Sequence, residues 1–157
     1  MAKSKKNDAD LYLTNQICFS IYTASRSVVQ AYQPYLNQYD LTYAQYLVML
    51  TLWEHDGLSV TQIGTMLDMD SGMLSPIIKK LEAKLLVKKE RQIKDERMVL
   101  IRLTPKGRKT KENLFAVREQ LICESGFEIQ DLGQLKTQLE LLTKNLSEAM
   151  SKKSKKK

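Results

Sequence analysis

The stretch SVTQIGTMLDMDSGMLSPIIKKLEAKLL, residues 59–86, decides the fold. Ser59 and Gln62 form a capping box, in which each side chain accepts a hydrogen bond from the backbone of the other, and this predicts a short helix over VTQIGTMLDM. Asp70 or Ser71 is placed to cap the next helix, GMLSPIIKKLEAKLL. Two short helices joined by a few residues are typical of a helix-turn-helix.

The residues that follow predict a wing. From Leu86 the pattern becomes extended, and VKKERQ and MVLIRLT flank the polar segment IKDER, which indicates a β-hairpin with a charged tip. Within the second short helix, Pro76 removes a backbone donor and should kink that helix or delay its regular part. Because a helix-turn-helix followed by a basic hairpin is a winged helix, we expect a mainly α fold of the α+β winged-helix class.

A longer helix is expected before this core. Apolar residues at helical spacing predict a helix over 11–36 that stops near Pro34. The capping box of Thr42 with Gln45 then opens a second helix, and Gly57 is placed to end it.

Two further helices are expected after the hairpin. Thr104 and Pro105 provide an N-cap with proline at the first helical position, which opens a helix to about residue 126. The last helix, roughly 131–150, carries leucines at spacings of three and four: Leu132, Leu135, Leu139, Leu142 and Leu146. We therefore predict a single domain over 1–157, with a DNA-binding part over 42–104, dimerisation helices over 11–36 and 105–150, and disordered basic tails over 1–8 and 151–157.

The formal net charge of +7 is unevenly distributed. Residues 79–111 contain thirteen Lys and Arg against four Asp and Glu, a local charge of +9, whereas 11–78 and 112–150 each carry −4. An isolated run of charges is usually a solvated surface, but this run coincides with the predicted helix-turn-helix and wing. It therefore indicates a binding surface for a polyanion.

Double-stranded DNA is the polyanion that this motif recognises. The start of the second helix-turn-helix helix reaches base edges in the major groove, while lysines and arginines contact phosphates or enter the minor groove. The expected base-reading group is Asp70, Ser71, Gly72, Met73 and Ser75. The expected basic group is Lys79, Lys80, Lys88, Lys89, Arg91, Lys94 and Arg97.

Composition and length exclude several other classes of protein. At 157 residues the chain suits one domain and is too short for a large multidomain enzyme. The start MAKSKKNDAD lacks the apolar core of a signal peptide and no run approaches 18 apolar residues, so we expect a cytoplasmic protein with no membrane partner. With two cysteines and one histidine, neither a metal site nor a cofactor is expected.

The terminal helices point to a homodimer. Their apolar stripes exceed what a small winged-helix core needs, so they are expected to pack against a second copy with C2 symmetry. Such a dimer would place its two wings on the half-sites of a pseudo-palindromic operator.

Cys18 is the candidate for a reactive residue. Tyr22 lies one turn away on the same helix face, whereas Tyr32 lies about 21 Å along a straight helix and cannot reach Cys18 of its own chain. An antiparallel crossing of two first helices would bring Tyr32 of one subunit beside Cys18 of the other. A phenol bonded to sulfur favours the thiolate, which peroxides oxidise to sulfenic acid. The alternative is that Cys18 is an inert core cysteine.

Residues 11–150 resemble the MarR family of winged-helix regulators, in particular its organic hydroperoxide resistance (OhrR) branch. The stretch ICFSIYTASRSVVQAYQPYL is similar to the reactive-cysteine helix of that branch, and LTYAQYLVMLTLWE to its second helix. DSGMLSPIIKKLE is similar to its recognition helix, and KDERMVLIRLTPKG to its wing. The resemblance implies a repressor that binds DNA as a dimer and is released when an organic hydroperoxide oxidises it.

The resemblance also implies roles for individual residues. Cys18 takes the place of the peroxidatic cysteine and Cys123 that of the resolving cysteine of the other subunit, as in two-cysteine members. Tyr22, Tyr32 and Tyr43 take the places of the tyrosines around the thiol, the last two contributed by the partner. In the wing, Asp95 and Glu96 precede Arg97, which would enter the minor groove with Asp95 holding it. Met73 departs from the threonine usual in this branch, which leaves the operator preference open.

Other interpretations remain beside this one. Apolar neighbours such as Leu121 and Ile122 make Cys123 a possible core residue, in which case a low-molecular-weight thiol would resolve Cys18. A second alternative is a thiol peroxidase whose substrate meets Cys18, but the sequence does not supply the arginine and hydroxyl expected to polarise a peroxide bond beside that cysteine. A MarR-type regulator controlled by a small phenolic or lipophilic ligand, with Cys18 incidental, is the third alternative.

Overall fold

The computed structural model describes residues 8–91 and 99–154, and its elements follow the order of a winged helix. Within these residues, two 3₁₀ turns, Asp8–Leu11 and Leu13–Asn15, precede the first helix. The α-helices are α1 (Ile17–Asn37), α2 (Tyr43–Glu54), α3 (Val60–Leu67), α4 (Ser71–Ala83), α5 (Pro105–Ser125) and α6 (Ile129–Ser154). The strands are β1 (Leu58–Ser59), β2 (Val87–Arg91) and β3 (Val99–Leu103).

The sheet confirms the predicted wing and adds a strand. The three strands are antiparallel in the order β1-β3-β2, and the β2–β3 register runs from Val87 opposite Leu103 to Arg91 opposite Val99. β1 was not predicted. The wing residues Lys94, Asp95, Glu96 and Arg97 lie outside the described residues. The prediction of a mainly α winged-helix class is confirmed.

The apolar core joins the helix-turn-helix to the sheet. Side chains from α2, α3, α4 and β3 are fully enclosed, among them Met49, Leu52, Ile63, Leu74, Ile78, Leu81 and Ile101. On α4 the buried residues recur at intervals of four and three, so the other face of that helix is directed outward. The core therefore holds α4 with an exposed face that can meet a partner.

The chain divides into two compact units, residues 1–117 and 118–157. The first unit contains α1 to α4, the sheet and most of α5, and the second contains the end of α5 and α6. Among the described residues of the second unit, no side chain is buried. The functional partition into a DNA-binding part and dimerisation helices stays a prediction.

The first helix begins later than predicted. Residues 8–11 and 13–15 form 3₁₀ turns, because side chains compete for the backbone carbonyls: Asn15 Nδ2 donates to Ala9 O at 2.7 Å and Gln16 Nε2 donates to Asp10 O at 2.6 Å. The regular helix therefore starts at Ile17 rather than at residue 11.

Two prolines lie inside helices that continue past them. α1 extends through Pro34 and ends at Asn37, one residue beyond the predicted bound of 36. α4 is helical from Ser71 through Pro76, so the predicted delay of its regular part is wrong. Each proline removes the donor for the carbonyl four residues earlier, at Gln30 or Gly72. Both of those residues are exposed, so water can satisfy the carbonyl.

The last helix runs further than predicted. α6 ends at Ser154, so the first four residues of the tail predicted to be disordered are helical. Lys152 and Lys153 lie in the last turn, where positive charge interacts favourably with the helix dipole. Asp8, at the other predicted tail, begins the first 3₁₀ turn. No helix among the described residues is sufficiently long and apolar to span a bilayer.

Candidate nucleic-acid interface and sensor cysteine

The turn before α4 sets the direction of its N-terminal end. α3 opens with the predicted capping box and ends at Asp68, which adopts a left-handed conformation with φ of 52°. Gly64 lies against this turn, and a Cβ there would be 2.5 Å from the backbone oxygen of Met69. Close approach of α3 to the turn therefore requires glycine at this position.

The start of α4 exposes the predicted base-reading group. Asp70 is the N-cap, since its Oδ1 accepts a hydrogen bond from the Met73 N–H at 2.9 Å. Ser75 Oγ donates to Ser71 O at 2.7 Å. Both polar side chains thus already have a partner within the helix. Met73 is 57% exposed and Gly72 is also at the surface.

The basic residues of α4 and β2 are exposed, and several form ion pairs. Lys79, Lys80 and Arg91 lie at the surface. Lys88 Nζ is 3.0 Å from Glu90 Oε2, and Lys89 Nζ is 3.1 Å from Glu82 Oε2. The predicted contacts Lys94, Asp95 and Arg97 belong to the segment outside the described residues.

Arg102 is a further basic residue of the wing and lies beside Lys88 and Glu90. Arg102 on β3 lies opposite Lys88, and its Nε donates to Glu90 Oε1 at 3.2 Å. The hydrogen bond from Lys88, assisted by the charges of both bases, holds the pKa of Glu90 below its ordinary value. Sequence reasoning missed Arg102 and the two glutamates as parts of this surface. For Glu90 the mixed charges of VKKER were the available signal, whereas Glu82 on α4 and Arg102 on β3 are brought to it by the fold.

Cys18 lies near the start of α1 with an exposed side chain, so the alternative of a core cysteine does not hold within the single chain. Tyr22 follows one turn later on the same continuous helix and is 56% exposed. The Arg26 guanidinium lies 5.7 Å from the centre of the Tyr22 ring, a cation–π contact. Arg26 was not predicted to take part in this site.

The structure brings together the other two predicted tyrosines. The rings of Tyr32 on α1 and Tyr43 on α2 lie 5.3 Å apart. Burial, and to a smaller degree the neighbouring Tyr32, raises the pKa of Tyr43. The Tyr43 phenol therefore keeps its proton and can act as a donor at neutral pH.

Tyr46 is a member of this cluster that sequence reasoning missed. Its ring is 5.4 Å from that of Tyr32 and 6.3 Å from that of Tyr43, and the residue is only 4% exposed. The spacing of three between Tyr43 and Tyr46 on α2 was the available signal. Behind Tyr46, the Trp53 ring lies 6.3 Å away, and its Nε1 donates to Gly107 O at 2.9 Å.

Cys123 lies on α5 in the second unit and is exposed, whereas its neighbours Leu121 and Ile122 are partly buried. A purely structural role as a core residue therefore does not explain it within the single chain. Both cysteines are free thiols.

Comparison with known proteins relates the chain to transcriptional regulators. Residues 30–114 match the model of a family described as transcriptional regulator SarA/Rot. The chain is 40% identical over 134 residues to the organic hydroperoxide resistance transcriptional regulator of Bacillus subtilis (strain 168), which covers 85% of this chain and 91% of that protein. The resemblance stated from the four sequence segments is thereby confirmed.

Solved structures of AbfR, a protein of Staphylococcus epidermidis, are also similar. A structure of reduced AbfR bound to DNA gives a TM-score of 0.75 at 39% identity, covering 85% of this chain and 94% of that one. A structure of disulfide-formed AbfR gives a TM-score of 0.63 at 36% identity, covering 92% of this chain and 96% of that one.

Proposed function

Since the chain belongs to the SarA/Rot family of winged helix-turn-helix transcriptional regulators, we propose that it is a dimeric repressor that releases its operator when an organic hydroperoxide oxidises Cys18. The chain is a transcriptional regulator and not an enzyme, because its relatives and structural neighbours are DNA-binding regulators. The resolving role of Cys123 and the base-reading role of α4 are parts of the proposal.

The observation that carries the proposal is the separation of Cys18 from Tyr32 and Tyr43. Cys18 and Tyr32 lie on one continuous helix, fourteen residues apart, so about 21 Å of helix separates them. Tyr32 is in ring contact with Tyr43 at 5.3 Å, so the pair of phenols lies together near the far end of α1. A second copy with an antiparallel α1 would bring this pair to the exposed Cys18.

The oxidation step uses a thiolate nucleophile. The Cys18 thiolate attacks the terminal oxygen of the hydroperoxide, the O–O bond breaks, and the alkoxide takes up a proton and leaves as an alcohol. Cys18 becomes a sulfenic acid, with sulfur oxidised and the peroxide reduced. Hydrogen bonds from Tyr22 and from the partner's phenols would stabilise the thiolate and position it for attack.

Resolution forms a disulfide. A thiolate from Cys123 of the other subunit attacks the Cys18 sulfur, an S–S bond forms as the S–O bond breaks, and the hydroxide takes up a proton and leaves as water. The exposed side chain of Cys123 favours this role, and a low-molecular-weight thiol can replace it. A covalent link between subunits would alter the relative position of the two wings and lower operator affinity.

Exposed apolar residues on α1 and α6 favour a homodimer. Ile17, Phe19 and Val28 on α1 are each more than a third exposed in the single chain. On α6 the exposed residues of the leucine stripe are Leu135, Leu139, Leu142 and Leu146. Exposed leucines repeating at three and four along a helix are typical of a helix–helix interface.

The double-stranded DNA operator would be read by two copies of α4. Met73 and its exposed neighbours at the start of α4 would contact the edges of DNA bases. Lys79, Lys80 and the basic side chains of β2 would contact phosphates. The structure of reduced AbfR bound to DNA supports DNA as the partner.

The proposal is tested by titrating a labelled operator, selected from a random duplex library, with reduced and cumene hydroperoxide-treated protein. We expect the treated wild type to lose affinity, and Cys18→Ser to bind equally well before and after treatment. Release of the operator by treated Cys18→Ser would remove the sensor role from Cys18.

A non-reducing gel run beside the titration tests resolution. Wild type should form a covalent dimer after treatment, and Cys123→Ser should not. A dimer band that persists in Cys123→Ser would show that another group resolves Cys18.

A further inference from the structure

Three cations of the described part of the wing are paired with carboxylates of the same chain. Lys89 on β2 reaches Glu82 on α4 at 3.1 Å. Glu90 accepts from both strands of the hairpin, at 3.0 Å from Lys88 Nζ and 3.2 Å from Arg102 Nε. Three basic side chains of this segment therefore share two carboxylates.

The pairs lie on both faces of β2. Lys88 and Glu90 are two residues apart and share one face, on which Arg102 is the cross-strand partner of Lys88. Lys89 points to the other face and meets Glu82 from α4. On each face of β2, a glutamate therefore pairs with the basic side chains: Glu90 on one face and Glu82 of α4 on the other.

These pairs are open to competition by phosphate. The side chains of Lys88, Lys89 and Arg102 are 58%, 47% and 37% exposed. Ion pairs at this exposure are weak and are screened by salt, so a DNA phosphate can displace the carboxylate. Displacement leaves the glutamate charge close to the DNA backbone, which lowers the net gain from each contact.

We propose that Glu82 and Glu90 set the strength with which the wing binds duplex DNA, because they compete with phosphate for Lys88, Lys89 and Arg102. Affinity for nonspecific DNA depends almost entirely on phosphate contacts, whereas base contacts carry the sequence information. The operator complex also contains these phosphate contacts, so internal pairing of the wing cations lowers the affinity for the operator and for a nonspecific duplex by a similar factor. The inference rests on the proposed function, because it requires the wing to bind DNA.

Glu82→Gln and Glu90→Gln test the inference on the reduced protein. Each freed cation makes its phosphate contact without competition from a carboxylate. Affinity for a mixed-sequence duplex should therefore increase by up to about fivefold per cation near physiological salt, and the slope of log K against log salt should steepen by up to about 0.9. Anisotropy of a labelled duplex across a salt series measures both quantities. Circular dichroism checks that each variant is folded. Affinity and slope equal to those of wild type would overturn the inference.

A double-mutant cycle separates pairing from net charge. Glu82→Gln should increase the affinity for the mixed-sequence duplex when Lys89 is present. In the Lys89→Gln background it should have little effect, because the side chain that Glu82 pairs with is then missing. Glu112→Gln, a change of the same charge on α5, should alter affinity less than twofold. An equal increase in the Lys89→Gln background, or from Glu112→Gln, would show that charge alone is responsible and would overturn the inference.

The selected operator is titrated beside the mixed-sequence duplex. Both affinities should rise by a similar factor in each glutamate variant, because the phosphate contacts of the wing are common to the two duplexes. A rise for the operator alone would show that the glutamates act through base reading, and would overturn the inference while leaving the proposed function intact. If the reduced wild type binds neither duplex, the proposed function fails, and the inference fails with it.

Discussion

Asp70 combines a structural role with a predicted contact to DNA, and a pair of substitutions separates them. Its carboxylate caps α4 by accepting from the Met73 N–H at 2.9 Å. We expect Asp70→Ala to lower the free energy of unfolding by about 1 kcal/mol, because an orphan donor loses its partner. Asp70→Asn should retain stability, since asparagine caps a helix equally well. Urea unfolding measures both.

The cap assignment fails if Asp70→Asn is destabilised as strongly as Asp70→Ala. With stability retained, a changed operator preference in Asp70→Asn would support the predicted base contact.

Tyr43 should make the folded state sensitive to alkaline pH. Burial raises the pKa of Tyr43 above the value near 10 that it has in the unfolded chain. Above that unfolded value the unfolded state releases the proton first and binds fewer protons than the folded state, so stability falls as pH rises. Urea unfolding at increasing pH should show that the free energy of unfolding falls less steeply for Tyr43→Phe than for wild type.

Tyr12→Phe serves as the control, because Tyr12 is 61% exposed. An alkaline loss of stability that is reduced equally by both variants would contradict the assignment to Tyr43.

At the scale of elements, local signals predicted the helix starts. The capping boxes Thr42–Gln45 and Ser59–Gln62 form as expected, with reciprocal hydrogen bonds in each. These depend on residues three apart, which the sequence displays directly. β1 was missed because two residues carry no periodicity of their own and become a strand only by pairing with β3. The tolerance of Pro34 and Pro76 depends on exposure, which is a tertiary property.

Two glycines, one tightly packed on α3 and one exposed on α6, should respond to alanine in opposite ways. Gly64→Ala places a Cβ 2.5 Å from the Met69 backbone oxygen, so we expect a loss of about 1–3 kcal/mol in the free energy of unfolding. Gly133→Ala on α6 meets nothing within 4 Å and should stabilise its helix by about 0.5–1 kcal/mol. Thermal and urea unfolding compare the two. Equal effects of the same sign would contradict the packing argument.

At the scale of the molecule, the parts of the site that depend on distant segments were the hardest to predict. Cys18 and Tyr22 are one helical turn apart, so their placement follows from spacing alone. The ring contacts that add Tyr46 to Tyr32 and Tyr43 arise from packing of α1 against α2. Likewise, the pair of Lys89 with Glu82 requires the wing to return beside α4. Basic patterning alone indicates where the charge lies, but not that carboxylates accompany it.

The proposed homodimer can be tested by substitutions on the two faces of α6. Leu139 belongs to the stripe of Leu132, Leu135, Leu142 and Leu146, whereas Leu141 is two residues further and lies on the opposite face of the helix. Both are exposed in the single chain, Leu139 at 39% and Leu141 at 58%. If the stripe is the interface, a charge on it loses its water on association and opposes the dimer, whereas a charge on the other face stays solvated.

We therefore expect Leu139→Glu to sediment as a monomer at concentrations at which wild type and Leu141→Glu are dimers. Two linked wings bind the second half-site at a high effective concentration, so the monomer should bind the operator on the order of a hundredfold more weakly. Its affinity for a single half-site should change little, because α4 and the wing are untouched. Dimerisation through this stripe is contradicted if Leu139→Glu stays dimeric, or if Leu141→Glu dissociates to the same degree.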